Sequence, residues 1–217
     1  MYLAIIYILV ECSPKEGGFI EILTNNKPIQ FYALALAIFI LMVGIMIIFA
    51  FLPEYEIRLQ TTKLSLSIAV SAYVIARVIL QTPMGILSDR YGRKKLILYG
   101  LFINIPVVLG LGYVNSVEEL IILRALQGIC MASVETPIMA LAVDLSEEKS
   151  VSSKVSFITS SQAAGTAFGP LIGGLLGGYV TFTLPFYACA IMTTVSMIIV
   201  IRLVPETNSK LNFCTAS

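Results

Sequence analysis

At 217 residues, with 58% hydrophobic and only 12% charged side chains and a mean hydropathy of +0.91, this chain is too apolar for a globule in water, where about 25% of residues carry charge. The formal net charge of +1 excludes the basic face of a nucleic-acid binder. The absence of histidine removes the commonest zinc ligand and the usual pH switch near neutrality. Cys12, Cys130, Cys189 and Cys214 lie far apart without a C-x-x-C pair. No disulfide, metal or cofactor site is therefore expected, and Cys130 and Cys189, inside apolar runs, read as small buried hydrophobes. The solvent for most of this surface is the lipid bilayer.

The first ten residues, MYLAIIYILV, are too short to span. They lack a basic n-region and a small-residue cleavage site, so they read as a short interfacial helix or a misassigned start rather than a signal peptide. Residues 1–30 form an N-terminal segment. Six stretches then have the ~20 apolar residues that cross ~30 Å of hydrocarbon: about 31–52, 64–84, 96–114, 120–142, 156–180 and 183–204. A tail, 205–217, follows, and no segment outside the spans is long enough for a soluble core.

The distribution of Lys and Arg sets the direction of threading. With the N-terminus inside, the inner segments hold Lys15, Lys27, Arg90, Arg93, Lys94, Lys95, Lys149, Lys154, Arg202 and Lys210, against Arg58 and Lys63 outside. Arg77 and Arg124 fall within spans. The expectation is a multi-pass protein of the cell membrane with both termini cytoplasmic, anchored at the interfaces by Tyr32, Tyr55, Tyr99, Tyr113 and Tyr179.

Between spans two and three the chain reads Gly85-Ile-Leu-Ser-Asp89-Arg90-Tyr-Gly92-Arg93-Lys94-Lys95. Gly85 permits close helix approach and Gly92 a tight reversal, while Asp89 stands four residues before Arg93. This string resembles the signature G-x-L-[AS]-D-[RK]-x-G-[RK]-[RK] of the major facilitator superfamily, with every defining position filled. The resemblance implies a conformational latch for the outward-open state, built of Gly85, Asp89, Arg90, Gly92 and Arg93, with Asp144 at the inner end of span four as the ion-pair partner of Arg93.

Span four contains Leu123-Arg124-Ala-Leu-Gln127-Gly128, which resembles the family's L-R-x-x-Q-G motif. A charge within the membrane faces protein or a watery cavity, or else snorkels to the interface, and both readings stand for Arg124. In the family this arginine is linked to proton coupling. Glu135 lies eleven residues on, about 16 Å along the axis and within ~20° of the same face, so Arg124, Gln127 and Glu135 fall on one stripe suited to a polar pathway. Glu135 is the acid set deepest in any span. It could load and release protons, contact substrate, or pair statically with Arg77 of span two, since the two lie at depths of about 22 and 20 Å.

Span five contains Gly165-Thr-Ala-Phe-Gly169-Pro170-Leu-Ile-Gly173-Gly174. Glycines at 165, 169, 173 and 177 form a smooth ridge for a packed helix, and Pro170 removes a backbone hydrogen bond. The string resembles the G-x-x-x-G-P-x-x-G-G motif of the superfamily's proton-coupled antiporters, drug exporters above all. The resemblance implies efflux, and a place for this span at the junction of two six-helix halves. Pro205-Glu206-Thr207 resembles the P-E-T that often closes the family's first half.

Taken over residues 31–207, the resemblance implies an all-α membrane protein: six transmembrane helices in a 3+3 inverted-repeat bundle, one half of the major facilitator fold. The implied function is secondary active transport of an unknown small molecule by alternating access, coupled to protons. A phosphate-binding loop G-x-x-x-x-G-K-[ST] is absent, so ATP does not drive it directly. A twelve-span member needs a second half, so either a second six-span half or a parallel homodimer is the expected partner, the glycine ridge then meeting it. The alternative is a non-transporting membrane protein acting as a partner or inactive fragment. An intramembrane enzyme would need a Ser/His pair, paired aspartates or a metal site within the spans, and none is present. Few membrane charges and much apolar surface point to amphipathic or cationic cargo.

Overall fold

The computed structural model describes residues 27–146, 150–177 and 182–204. The readings made for residues 1–26, for Lys149 and Tyr179, and for the Pro205–Thr207 string, Lys210 and Cys214 lie outside the described residues.

The described chain is helical because lipid offers nothing to bond a free backbone amide. α1 (Lys27–Ala50) covers most of the first predicted span, 31–52, and the short α2 (Leu52–Arg58) carries the helix beyond its expected end. Phe51 leaves helical geometry between them, and Pro53, which has no N–H to return to α1, starts the new helix. α3 (Lys63–Tyr91) is capped by Thr62, whose hydroxyl accepts from the amide of Ser65 at 3.4 Å. It runs well past the expected end at residue 84, to Gly92. That glycine has φ 103°, which an L side chain rarely adopts, so the reversal into α4 (Arg93–Leu111) rests on it. α5 (Val117–Asp144) begins on Ser116, which accepts from the amide of Glu119, while the carboxylate of Glu119 accepts from the amide of Asn115 at 3.1 Å. α6 (Val151–Gly177) continues through Pro170, and α7 (Leu184–Leu203) completes the bundle. Five membrane segments, α1 with α2, α3, α4, α5 and α7, are long and apolar enough to cross a membrane. α6 is long enough, at 27 residues, but its first half is rich in Ser, Thr and Gln.

The packing partners carry the symmetry of the fold. Treating α1 and α2 as one span, span one packs on span five as span four packs on span two. Span three packs on span four as span six packs on span one, and three meets six. Exchanging spans one to three with four to six reproduces this set, the mark of a 3+3 repeat. Tight contacts therefore run in the order α6, α1, α7, α4, α5, α3, and α5 and α6 touch far less extensively than either touches its main partner.

Lipid tails are as apolar as leucine, so this bundle is held by close fit and by buried polar bonds. The Tyr55 hydroxyl donates to the Leu111 carbonyl at 2.5 Å, fixing α2 on the end of α4. Ser196 donates to the Ala37 carbonyl at 3.0 Å, joining α7 to α1. Leu34, Ile38, Ile45, Leu101, Leu111 and Leu141 fill the interior. α3 is the exception: only 17% of its apolar window is buried, and Ile68, Ile75, Val78, Ile79 and Ile86 lie exposed along it.

Candidate functional site

Two polar constellations stand out, one at the Gly92 end of the bundle and one at mid-depth. At the Gly92 end, Arg93 opens α4 and reaches the last turn of α5. Its guanidinium bonds the Asp144 carboxylate and the Ala140 carbonyl, and a second nitrogen lies 3.3 Å from Asp89. A cation at a helix C-terminus is favoured twice, by the unpaired carbonyls and by the helix dipole. Asp89 is 61% exposed and Asp144 29%, so the Asp89 contact is the more readily broken. Arg90 is exposed, with its guanidinium over the Tyr91 ring, 5.8 Å from the centroid. A β-carbon on Gly85 would meet Thr136 at an ordinary 3.4 Å.

The neighbouring lysines do similar work, unforeseen from sequence. Lys94 donates to the Ile201 carbonyl at 2.9 Å and Lys154 to the Leu145 carbonyl at 3.0 Å, so these basic residues close the ends of α7 and α5.

At mid-depth, Arg77 of α3 and Glu135 of α5 form an ion pair at 2.6 Å. Of the three readings left open for Glu135, pairing is the geometry found. Arg77 is the central residue of α3, about 21 Å from either end. The second oxygen of Glu135 accepts from the Gln162 side-chain amide of α6 at 3.0 Å. These groups, with Gln81, Thr82 and Thr136, line a cleft of about 460 Å³. Gln81 and Gln162 were missed from sequence; the available signals were a lone amide at the end of an apolar run for Gln81 and the polar first half of α6 for Gln162. Within the pair exposure is uneven: 29% for Arg77 and 4% for Glu135.

Arg124 does not snorkel, and it is not among the residues that line this cleft. Its side chain is fully buried, turned toward α1 with the guanidinium carbon 5.0 Å from the Phe49 ring centroid, and it donates to Gln127 at 3.1 Å. Gln127 is equally buried. Among the described residues Arg124 has no ion-pair partner, and its Nε and second terminal nitrogen are unbonded. The expected stripe is thus split: Arg124 and Gln127 sit inside the packing against α1, and Glu135 faces α3 and α6.

The glycines also find a different partner from the one expected. β-Carbons on Gly165, Gly169 and Gly173 would stand 2.7, 2.2 and 2.8 Å from the Cβ atoms of Met42, Met46 and Ala50. The ridge is therefore occupied by α1 of its own chain, and a second half or copy cannot pack on it. Gly174 has open space, and Pro170 is exposed. The side-chain surroundings of Gly177 lie outside the described residues. Gly128 brings α5 against the α3 backbone at Tyr73.

The chain matches the Major Facilitator Superfamily over residues 34–213. It is 31% identical over 171 residues to an uncharacterized transporter of Buchnera aphidicola subsp. Schizaphis graminum, covering 78% of this chain and 43% of that one. It is 28% identical over 169 residues to the inner membrane transport protein YajR of Escherichia coli, covering 77% and 37%. It is 25% identical over 181 residues to multidrug resistance protein 2 of Bacillus subtilis, covering 82% and 45%. The fold is similar to that of the human organic anion transporter MFSD10 (TETRAN), with a TM-score of 0.68, 14% identity, and coverage of 81% of this chain and 47% of that one. The chain therefore belongs to the major facilitator superfamily, a family of membrane transporters rather than enzymes. It spans less than half the length of each of these relatives.

Proposed function

We propose that this chain is the six-span N-terminal half of a secondary transporter of the cell membrane, with both termini cytoplasmic, which moves a small molecule by proton-coupled alternating access in the direction of efflux. The observation that carries the reading is the Arg77–Glu135–Gln162 cluster. Ionisable groups at mid-depth are costly and rare, so a pair of them on the wall of a cleft marks a functional pathway, in which the carboxyl is the proton-binding group. The span-five glycine string supports efflux, and Asp89, Arg93 and Asp144 supply a latch that one conformational state makes and the other breaks. The likeness to a multidrug resistance protein favours the same direction.

The cleft opens beside the exposed apolar side of α3, which a complete transporter would cover. A second six-span half, or a second copy packed in parallel, is the proposed cover. The contact falls on the exposed faces of α3 and α6, where Ile75, Ile79, Phe168 and Leu171 stand, rather than on the glycine ridge.

Flux in reconstituted vesicles tests this. Ethidium serves as the probe under an imposed pH gradient, for the chain alone and with a candidate second half. Gradient-dependent movement of ethidium that Glu135→Gln abolishes supports the reading. Movement that ignores either the gradient or Glu135 removes proton coupling through this site, and no movement in either format leaves the non-transporting partner as the function.

A further inference from the structure

Two helix pairs are locked by glycines: α1 with α6 through Gly165, Gly169 and Gly173, and α3 with α5 through Gly128. α4 and α7 join these pairs along one side of the bundle. On the other side lies the seam between α5 and α6, and the bond from Gln162 to Glu135 crosses it. Glu135 is thereby bonded on one oxygen by its own pair, through Arg77, and on the other by the opposite pair.

We infer that Gln162 is a positioning residue for proton coupling: it ties the α1–α6 pair to the Glu135 carboxylate, and that tie weakens when Glu135 takes up a proton. The inference rests on the reading of Glu135 as a proton-binding group and names the element that feels its charge. An amide N–H donating to a carboxylate makes a charge-assisted bond, about twice as strong as one to a neutral acceptor. Protonation removes that advantage on the Gln162 side and the ion pair on the Arg77 side in one event. The seam loosens while the glycine contacts within each pair persist. α6 then carries α1 with it, because the ridge leaves no room for independent sliding.

The surroundings of Glu135 keep this simple. α3 presents Arg77 and the Tyr73 hydroxyl beside it, α6 presents the uncharged Gln162, and among the described residues α1 and α4 place no charged group against the carboxylate.

Infrared difference spectroscopy of the full chain in lipid nanodiscs tests this without any need for flux. The carbonyl band of the protonated carboxyl is followed against pH and assigned by its loss in Glu135→Gln. Gln162→Leu removes a donor that favours the carboxylate, so the midpoint should move up by about one pH unit. Gln162→Lys adds a cation at the same place and should move it down. A merely structural role cannot give shifts of opposite sign. A Glu135 band whose midpoint ignores both variants overturns the inference and leaves the proton-binding reading intact. Absence of a titrating Glu135 band overturns both.

Discussion

A β-carbon placed on Gly128 would stand 2.3 Å from the carbonyl oxygen of Tyr73, well inside van der Waals contact. α5 and α3 are in direct backbone contact there, one turn from Arg124. Gly128→Ala should accordingly cost about 1–3 kcal/mol, the usual range for overpacking, read as a lowered unfolding midpoint in detergent. Gly169→Leu, aimed at Met46 and the Val43 carbonyl, should reduce the folded yield further. Gly174→Ala, with nothing within 4 Å, should leave stability unchanged. Wild-type stability in Gly169→Leu would place the ridge against lipid.

The proposed latch of Asp89, Arg93 and Asp144 makes a different kind of prediction. Asp89 is mostly exposed, and exposed pairs contribute at most about 1 kcal/mol. Asp89→Asn should therefore insert and accumulate as wild type while slowing the transport cycle, seen as lower flux at equal protein. Asp144→Asn, which removes the more buried partner of Arg93, should slow it more. Loss of protein rather than of rate in Asp89→Asn would make the loop a stabilising element only.

Arg124 separates stability from activity. A buried cation with one hydrogen bond and one aromatic contact is poorly compensated, and replacing such a group with apolar side chains of similar volume is commonly neutral or stabilising. The double variant Arg124→Met with Gln127→Leu removes both members without stranding either. Its unfolding midpoint should equal or exceed that of wild type while gradient-driven flux is lost. A drop of several kcal/mol would assign Arg124 to the scaffold.

Much of this site was legible before any coordinates. The depth match of Arg77 and Glu135 followed from a rise of about 1.5 Å per residue, and that arithmetic put the two groups at one level. Gln162 was not legible, because an amide in a span gives no hint of which neighbouring helix it meets. The direction of Arg124 was not legible either. Periodicity places Arg124 and Glu135 on one face of α5, yet that face borders α1 at one level and α3 with α6 at the other.

What the sequence by itself determined is the lipid solvent, the helical class and the family to which the loop string belongs. Each follows from local composition and local strings, since apolar length and a contiguous motif act on every segment separately. The tertiary structure alone decided the neighbours: that the glycine ridge receives α1, that Arg124 is sealed from the cleft, and that Glu135 is held from two sides. In a membrane the lipid-facing and protein-facing sides of a helix are about equally apolar, so no hydrophobic pattern rotates it about its own axis. That rotation is set by fit, by the one or two angstroms that separate a glycine from an alanine where two backbones meet.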